Sequence, residues 1–138
     1  MIDRAAHGAP FPDPPWHSLA VLAVDDEVLI RNLVELTLRA QGAGVMTAAC
    51  AEEALAVMAD ADKLPDLIIT DLEMPGIGGI GLIRAVRSHP VLGQIPILVV
   101  SGSQDGNVPL AEGANGFLRK PYRRHELLLA ASRSLAGA

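Results

Sequence analysis

Cysteine is almost absent from this chain. Cys50 is the only one among 138 residues, so no disulfide can form within the molecule, and its place between Ala49 and Ala51 reads as a small packed residue near a strand end. Lysine is scarce too, with Lys63 and Lys120 set against nine arginines. No long basic run occurs and the formal net charge is -5, which argues against a nucleic-acid partner, because a phosphate backbone demands clustered positive charge. No apolar stretch approaches the ~20 residues that span a bilayer, and no basic-plus-apolar leader opens the chain. The expectation is a cytoplasmic protein with no membrane partner. What the chain does have is hydrophobic residues, 50% of the total, enough at this length for one domain with an ordinary core.

The first 17 residues stand apart. Pro10, Pro12, Pro14 and Pro15 remove backbone donors and favour extended conformations, so 1–17 is expected as a Pro-rich, loosely packed tail and 18–138 as the domain. Beyond it, short apolar runs alternate with helical patterns. Residues 19–24 form an unbroken apolar run, as in a strand buried on both faces. Residues 28–40 put Leu29, Leu33, Leu36 and Ala40 at helical spacing, ended by Gly42 or Gly44. A second strand at 45–49 precedes a helix at 52–61 with Ala54, Leu55 and Met58 inward. A third strand at 67–70 precedes a helix at 79–88 carrying Ile80, Ile83, Ala85 and Val86. Strands at 95–100 and 115–119 follow, then a helix at 122–135 with Leu127, Leu128, Ala131 and Leu135. Gly102, Gly106, Pro109 and Gly113 crowd the interval where a fourth helix belongs, so that helix is predicted to be short or irregular. Five strands alternating with helices predict a doubly wound α/β sheet.

Chemically complementary groups sit at the ends of the predicted strands. Asp25 and Asp26 close the first, Asp71 the third and Ser101 the fourth, while Lys120 follows the fifth and precedes Pro121. In a parallel sheet those carboxyl ends lie on one edge, where such folds place their sites. Three carboxylates crowded there repel one another, and a hard divalent cation with oxygen ligands, Mg²⁺, relieves the repulsion. A carboxylate can also attack phosphorus, and the resulting aspartyl phosphate needs positive charge and hydrogen-bond donors at its oxygens. Each residue has a plainer reading: a turn or helix cap for the aspartates, a turn for Ser101-Gly102, a solvated loop lysine for Lys120.

Taken together, Asp25-Asp26, Asp71 within Asp-Leu-Glu-Met-Pro-Gly, Val-Val-Ser101-Gly and Lys120-Pro121 resemble the receiver domain of two-component response regulators, from about residue 19 onward. The resemblance implies a flavodoxin-like strand order. It implies Asp71 as phosphoacceptor, with Asp25, Asp26, Asp71 and the backbone carbonyl of Glu73 around Mg²⁺. It further implies that Lys120 pairs with the carboxylate and then the phosphoryl group, and that Ser101 is the switch hydroxyl. Phe117, three before Lys120, matches the aromatic that reports phosphorylation and reads equally as a core residue. The implied partners are a histidine kinase or histidine phosphotransfer protein and a downstream protein target. Because the chain stops soon after the last helix, the expectation is a stand-alone regulator or a phosphate shuttle or sink, with a fragment of a larger hybrid kinase as the further alternative.

Two rivals compete. Gly76-Ile77-Gly78-Gly79-Ile80-Gly81 satisfies the dinucleotide pattern G-x-G-x-x-G, but it follows the third strand rather than the first, and no acidic residue ends the next strand to hold a ribose. A haloacid-dehalogenase-like phosphatase would also use Asp71 as nucleophile but requires an aspartate two residues later, where this chain has Glu73. Gly78 stands where the family commonly has an acidic residue, and extra backbone freedom there is expected to loosen the loop.

Overall fold

The computed structural model describes residues 13–102 and 105–137; most of the predicted tail, 1–12, lies outside the described residues. Five parallel strands, β1 (Ala20–Val24), β2 (Gly44–Ala48), β3 (Leu67–Thr70), β4 (Ile97–Ser101) and β5 (Gly116–Arg119), form one sheet in the order β2-β1-β3-β4-β5. Between them run α1 (Val28–Arg39), α2 (Ala51–Asp60), α3 (Gly78–Ser88) and α4 (Asn107–Ala111), with α5 (Arg124–Ala136) last. This is the flavodoxin-like arrangement, and α4 is a five-residue piece as its glycines and proline predict.

Both sheet faces are covered, which explains the unbroken apolar runs. Successive side chains still point to opposite faces: Leu22, Val24, Ile68, Ile97 and Val99 join the core under α2 and α3, while Val21, Ala23, Leu67, Ile69, Leu98 and Val100 join the core under α1 and α5. Trp16, within the stretch expected as tail, is 7% exposed and packs in the second core from a 3-10 turn, Trp16–Ser18. The packed structure therefore reaches back into that stretch.

Helix α1 buries a different stripe from the one its helical spacing displays. Its buried residues are Val34, Thr37 and Leu38, whereas Leu29, Leu33 and Leu36 are 82%, 56% and 66% exposed. The helix carries two apolar stripes, and periodicity identifies a helix without saying which stripe meets the sheet. Cys50 is half-buried at the N-cap of α2, its Sγ accepting from the Glu53 N–H at 3.5 Å.

Candidate functional site

The strand order places the carboxyl ends of β1 and β3 side by side where the chain reverses direction across the sheet, leaving a crevice at that edge. Residues leaving those ends converge. Asp25 and Asp71 are each 6% exposed and Asp26 is exposed at the rim. One carboxylate oxygen from each of the three lies within 4.8 Å of the others. Lys120, from the end of β5, reaches back so that Nζ stands 3.3 Å from Asp25 Oδ2 and 3.4 Å from Asp71 Oδ2. Its backbone N–H donates to Ser101 O at 3.0 Å, tying the ends of β4 and β5.

Local bonds fix both buried carboxylates. Asp71 Oδ1 accepts from the Leu72 N–H at 2.8 Å, and Asp25 Oδ1 accepts from the Glu27 N–H at 2.9 Å as the chain turns into α1. Burial lifts the Asp71 carboxyl above its ordinary range; the Lys120 charge and the Leu72 N–H pull the other way, and the Asp25 charge adds to the rise. Burial by itself would lower Lys120, but the charges of Asp25 and Asp71 outweigh it and the ammonium is held above its ordinary range. The two shifts have different balances. The lysine faces two acids, while desolvation dominates at Asp71.

Ser101 is fully buried and donates its hydroxyl to Glu73 Oε2 at 2.8 Å. Phe117 is half-buried against the core, and the Arg119 guanidinium lies 5.9 Å from its ring centroid. The two side chains thus share a face, as the two-residue period predicts. Three participants escaped the sequence reading. Arg31 Nη1 donates to Asp25 O at 2.8 Å, and the Glu52 carboxylate accepts from the Ile77 N–H at 3.2 Å to anchor the loop after β3. Tyr122, whose hydroxyl burial pushes to a higher pKa, lines a groove of about 370 Å³ with Ile30, Leu33, Lys120 and Pro121.

The glycine pattern serves this loop. Gly76 and Gly78 adopt φ of +80° and +69°, which side chains disfavour, and a Cβ on Gly79 would collide with the Asp71 carbonyl and, at 2.7 Å, with Leu72 Cα. These glycines let α3 begin directly beneath Asp71, so the pattern is accounted for without a nucleotide. The loop that Gly78 was expected to loosen is tied by Glu52 and requires glycine there.

The response regulator receiver domain family matches over residues 21–132, and the chain belongs to that family. Among curated relatives, the phosphate regulon transcriptional regulatory protein PhoB of Pseudomonas aeruginosa is 33% identical over 78% of this chain and 48% of its own length. The transcriptional regulatory protein AfsQ1 of Streptomyces coelicolor is 34% identical over 75% of this chain and 45% of its own. The chain thus spans less than half of either. Among solved structures, the chemotaxis response regulator CheY4 of Vibrio cholerae superposes with a TM-score of 0.76 at 37% identity, covering 84% of this chain and 98% of that one. A receiver domain from Clostridium thermocellum gives a TM-score of 0.77 at 26% identity, covering 86% and 94%. This is a receiver domain with the acidic pocket of a phosphoacceptor, and the phosphatase alternative finds no support. Among the described residues, no helix is long and apolar enough to cross a membrane.

Proposed function

We propose that Asp71 is the phosphoacceptor of a two-component relay. The observation that carries this is the convergence of a buried aspartate, two further carboxylates within 4.8 Å and one ammonium 3.4 Å away. An oxygen of ionised Asp71 attacks phosphorus, and the bond from phosphorus to the donor breaks with its electron pair leaving on the donor, an imidazole nitrogen or, for acetyl phosphate, acetate. Burial makes the Asp71 carboxylate more basic and so a better nucleophile, while the nearby Lys120 charge favours its ionised form. Once the phosphoryl group is attached, Lys120 is placed to pair with it. The Asp25, Asp26 and Asp71 carboxylates are hard oxygen donors that would hold Mg²⁺, and we assign the Glu73 backbone carbonyl as a fourth protein ligand. Bound there, the ion would supply positive charge to the phosphoryl oxygens.

We assign the donor, a histidine kinase or histidine phosphotransfer protein, to the exposed face of α1. Leu29, Leu33, Leu36 and Ala40 recur at intervals of four, three and four, the seam spacing of helices that pack side by side. That seam continues into the groove ending at Lys120, so a helix laid along it brings a phosphorylated side chain to the acidic edge. Phe117, Arg119 and α5, with Arg123 and Arg124 at its start, form the surface we assign to the downstream target. We place the exchange in the cytoplasm, in keeping with the lone unpaired Cys50.

Incubation with acetyl phosphate and Mg²⁺ tests the acceptor. Intact-protein mass spectrometry should show one phosphoryl group on the native protein and none on Asp71→Asn. Equal labelling of the variant would remove Asp71 from the role.

A further inference from the structure

Ser101 has one hydroxyl proton, and that proton is committed: the group is fully buried and donates to Glu73 Oε2 at 2.8 Å. While this bond stands the hydroxyl has no proton to offer a phosphoryl oxygen on Asp71. Glu73 lies two residues beyond Asp71, on an exposed loop whose far end is tied by Glu52 to Ile77. We infer that Glu73 is a built-in competitor for the switch hydroxyl, a positioning residue that holds Ser101 in its resting orientation and must be displaced when Asp71 is modified. The inference rests on Asp71 being the acceptor.

The exchange is balanced by design of its parts. Ser101 gives up one anionic acceptor for another, so little hydrogen-bond energy separates the two states and the switch can reset. Repulsion between the phosphoryl charge and Glu73 favours the displaced state. Because the loop is anchored at Ile77, the movement is confined to the Glu73 end, beside the start of the β4–α4 connection. Phosphorylation therefore alters two neighbouring loops through one hydroxyl.

Isothermal titration of the full chain with beryllofluoride at saturating Mg²⁺ tests this. Glu73→Gln removes the charge but keeps a carbonyl acceptor for Ser101, whereas Glu73→Ala removes both. Competition for the hydroxyl requires Glu73→Ala to bind beryllofluoride about fivefold more tightly than Glu73→Gln, the scale of one neutral hydrogen bond. In a Ser101→Ala background the two variants should bind alike. Equal affinities of the two variants with Ser101 intact would show that Glu73 acts by charge alone and overturn the inference. A difference that persists without the hydroxyl would overturn it as well. Failure of the native protein to bind beryllofluoride would instead strike the acceptor reading itself, and all variants would share it.

Discussion

At the scale of single residues, the burial of Asp71 sets how its charge weighs on stability. Its folded pKa is raised above the ordinary 3.8, chiefly by burial, so the fold favours the protonated form. That contribution is present below the unfolded pKa and is lost as pH rises through the folded value; at neutral pH the ionised carboxylate counts against folding. Asp71→Asn keeps the shape and an acceptor for the Leu72 N–H without the charge. In EDTA it should melt a few degrees above the native protein at pH 7, and the gap should close as the pH is lowered toward and below 3.8. A gap independent of pH in a thermal scan would contradict this. Lys120 has the same sign in a higher window: its two acids raise it against the pull of burial, so its contribution persists through neutral pH and is lost only as strong alkali is reached. The identities of these two residues were legible because each sits at a strand end. The roles of Arg31 and Tyr122 were not, since Arg31 folds back from α1 and Tyr122 leans in from the loop before α5, and the local sequence specifies neither orientation.

At the scale of elements, the turn into α3 is the tightest constraint. A Cβ on Gly79 meets backbone of Asp71 and Leu72, which cannot yield as a side-chain tip would. Gly79→Ala should therefore cost about 1–3 kcal/mol in urea denaturation and lower phosphorylation by acetyl phosphate, because relief of the clash moves Asp71. Gly44→Ala is the control: the nearest atom to its Cβ is 3.8 Å away, and it should change stability by less than about 0.5 kcal/mol. The elements themselves were readable, with boundaries within a residue or two, because period and breakers are local. The short α4 was foreseen from Gly106, Pro109 and Gly113. The inward face of α1 was not, because Val34 and Leu38 make as good a stripe as Leu29, Leu33 and Leu36.

For the molecule as a whole, the unburied α1 stripe is a surface that folding leaves unused. Replacing Leu29 and Leu36 together by serine removes apolar area already in water, 82% and 66% exposed, and should leave Tm and acetyl phosphate labelling unchanged. Transfer from a phosphorylated histidine donor should fall roughly tenfold or more, as loss of central apolar anchors does at interfaces. Unaltered transfer kinetics would move the docking site elsewhere.

Composition, period and the placement of Asp25, Asp26, Asp71, Ser101 and Lys120 at strand ends already determined the sheet, its alternating helices and the chemistry at one edge, because each depends on neighbours along the chain. The strand order that brings β1 against β3 is non-local. So are the choice between two stripes on α1 and the bond from Ser101 to Glu73 across 28 positions. These followed only from packing, since such contacts are selected by which faces can be buried together rather than by the residues beside them.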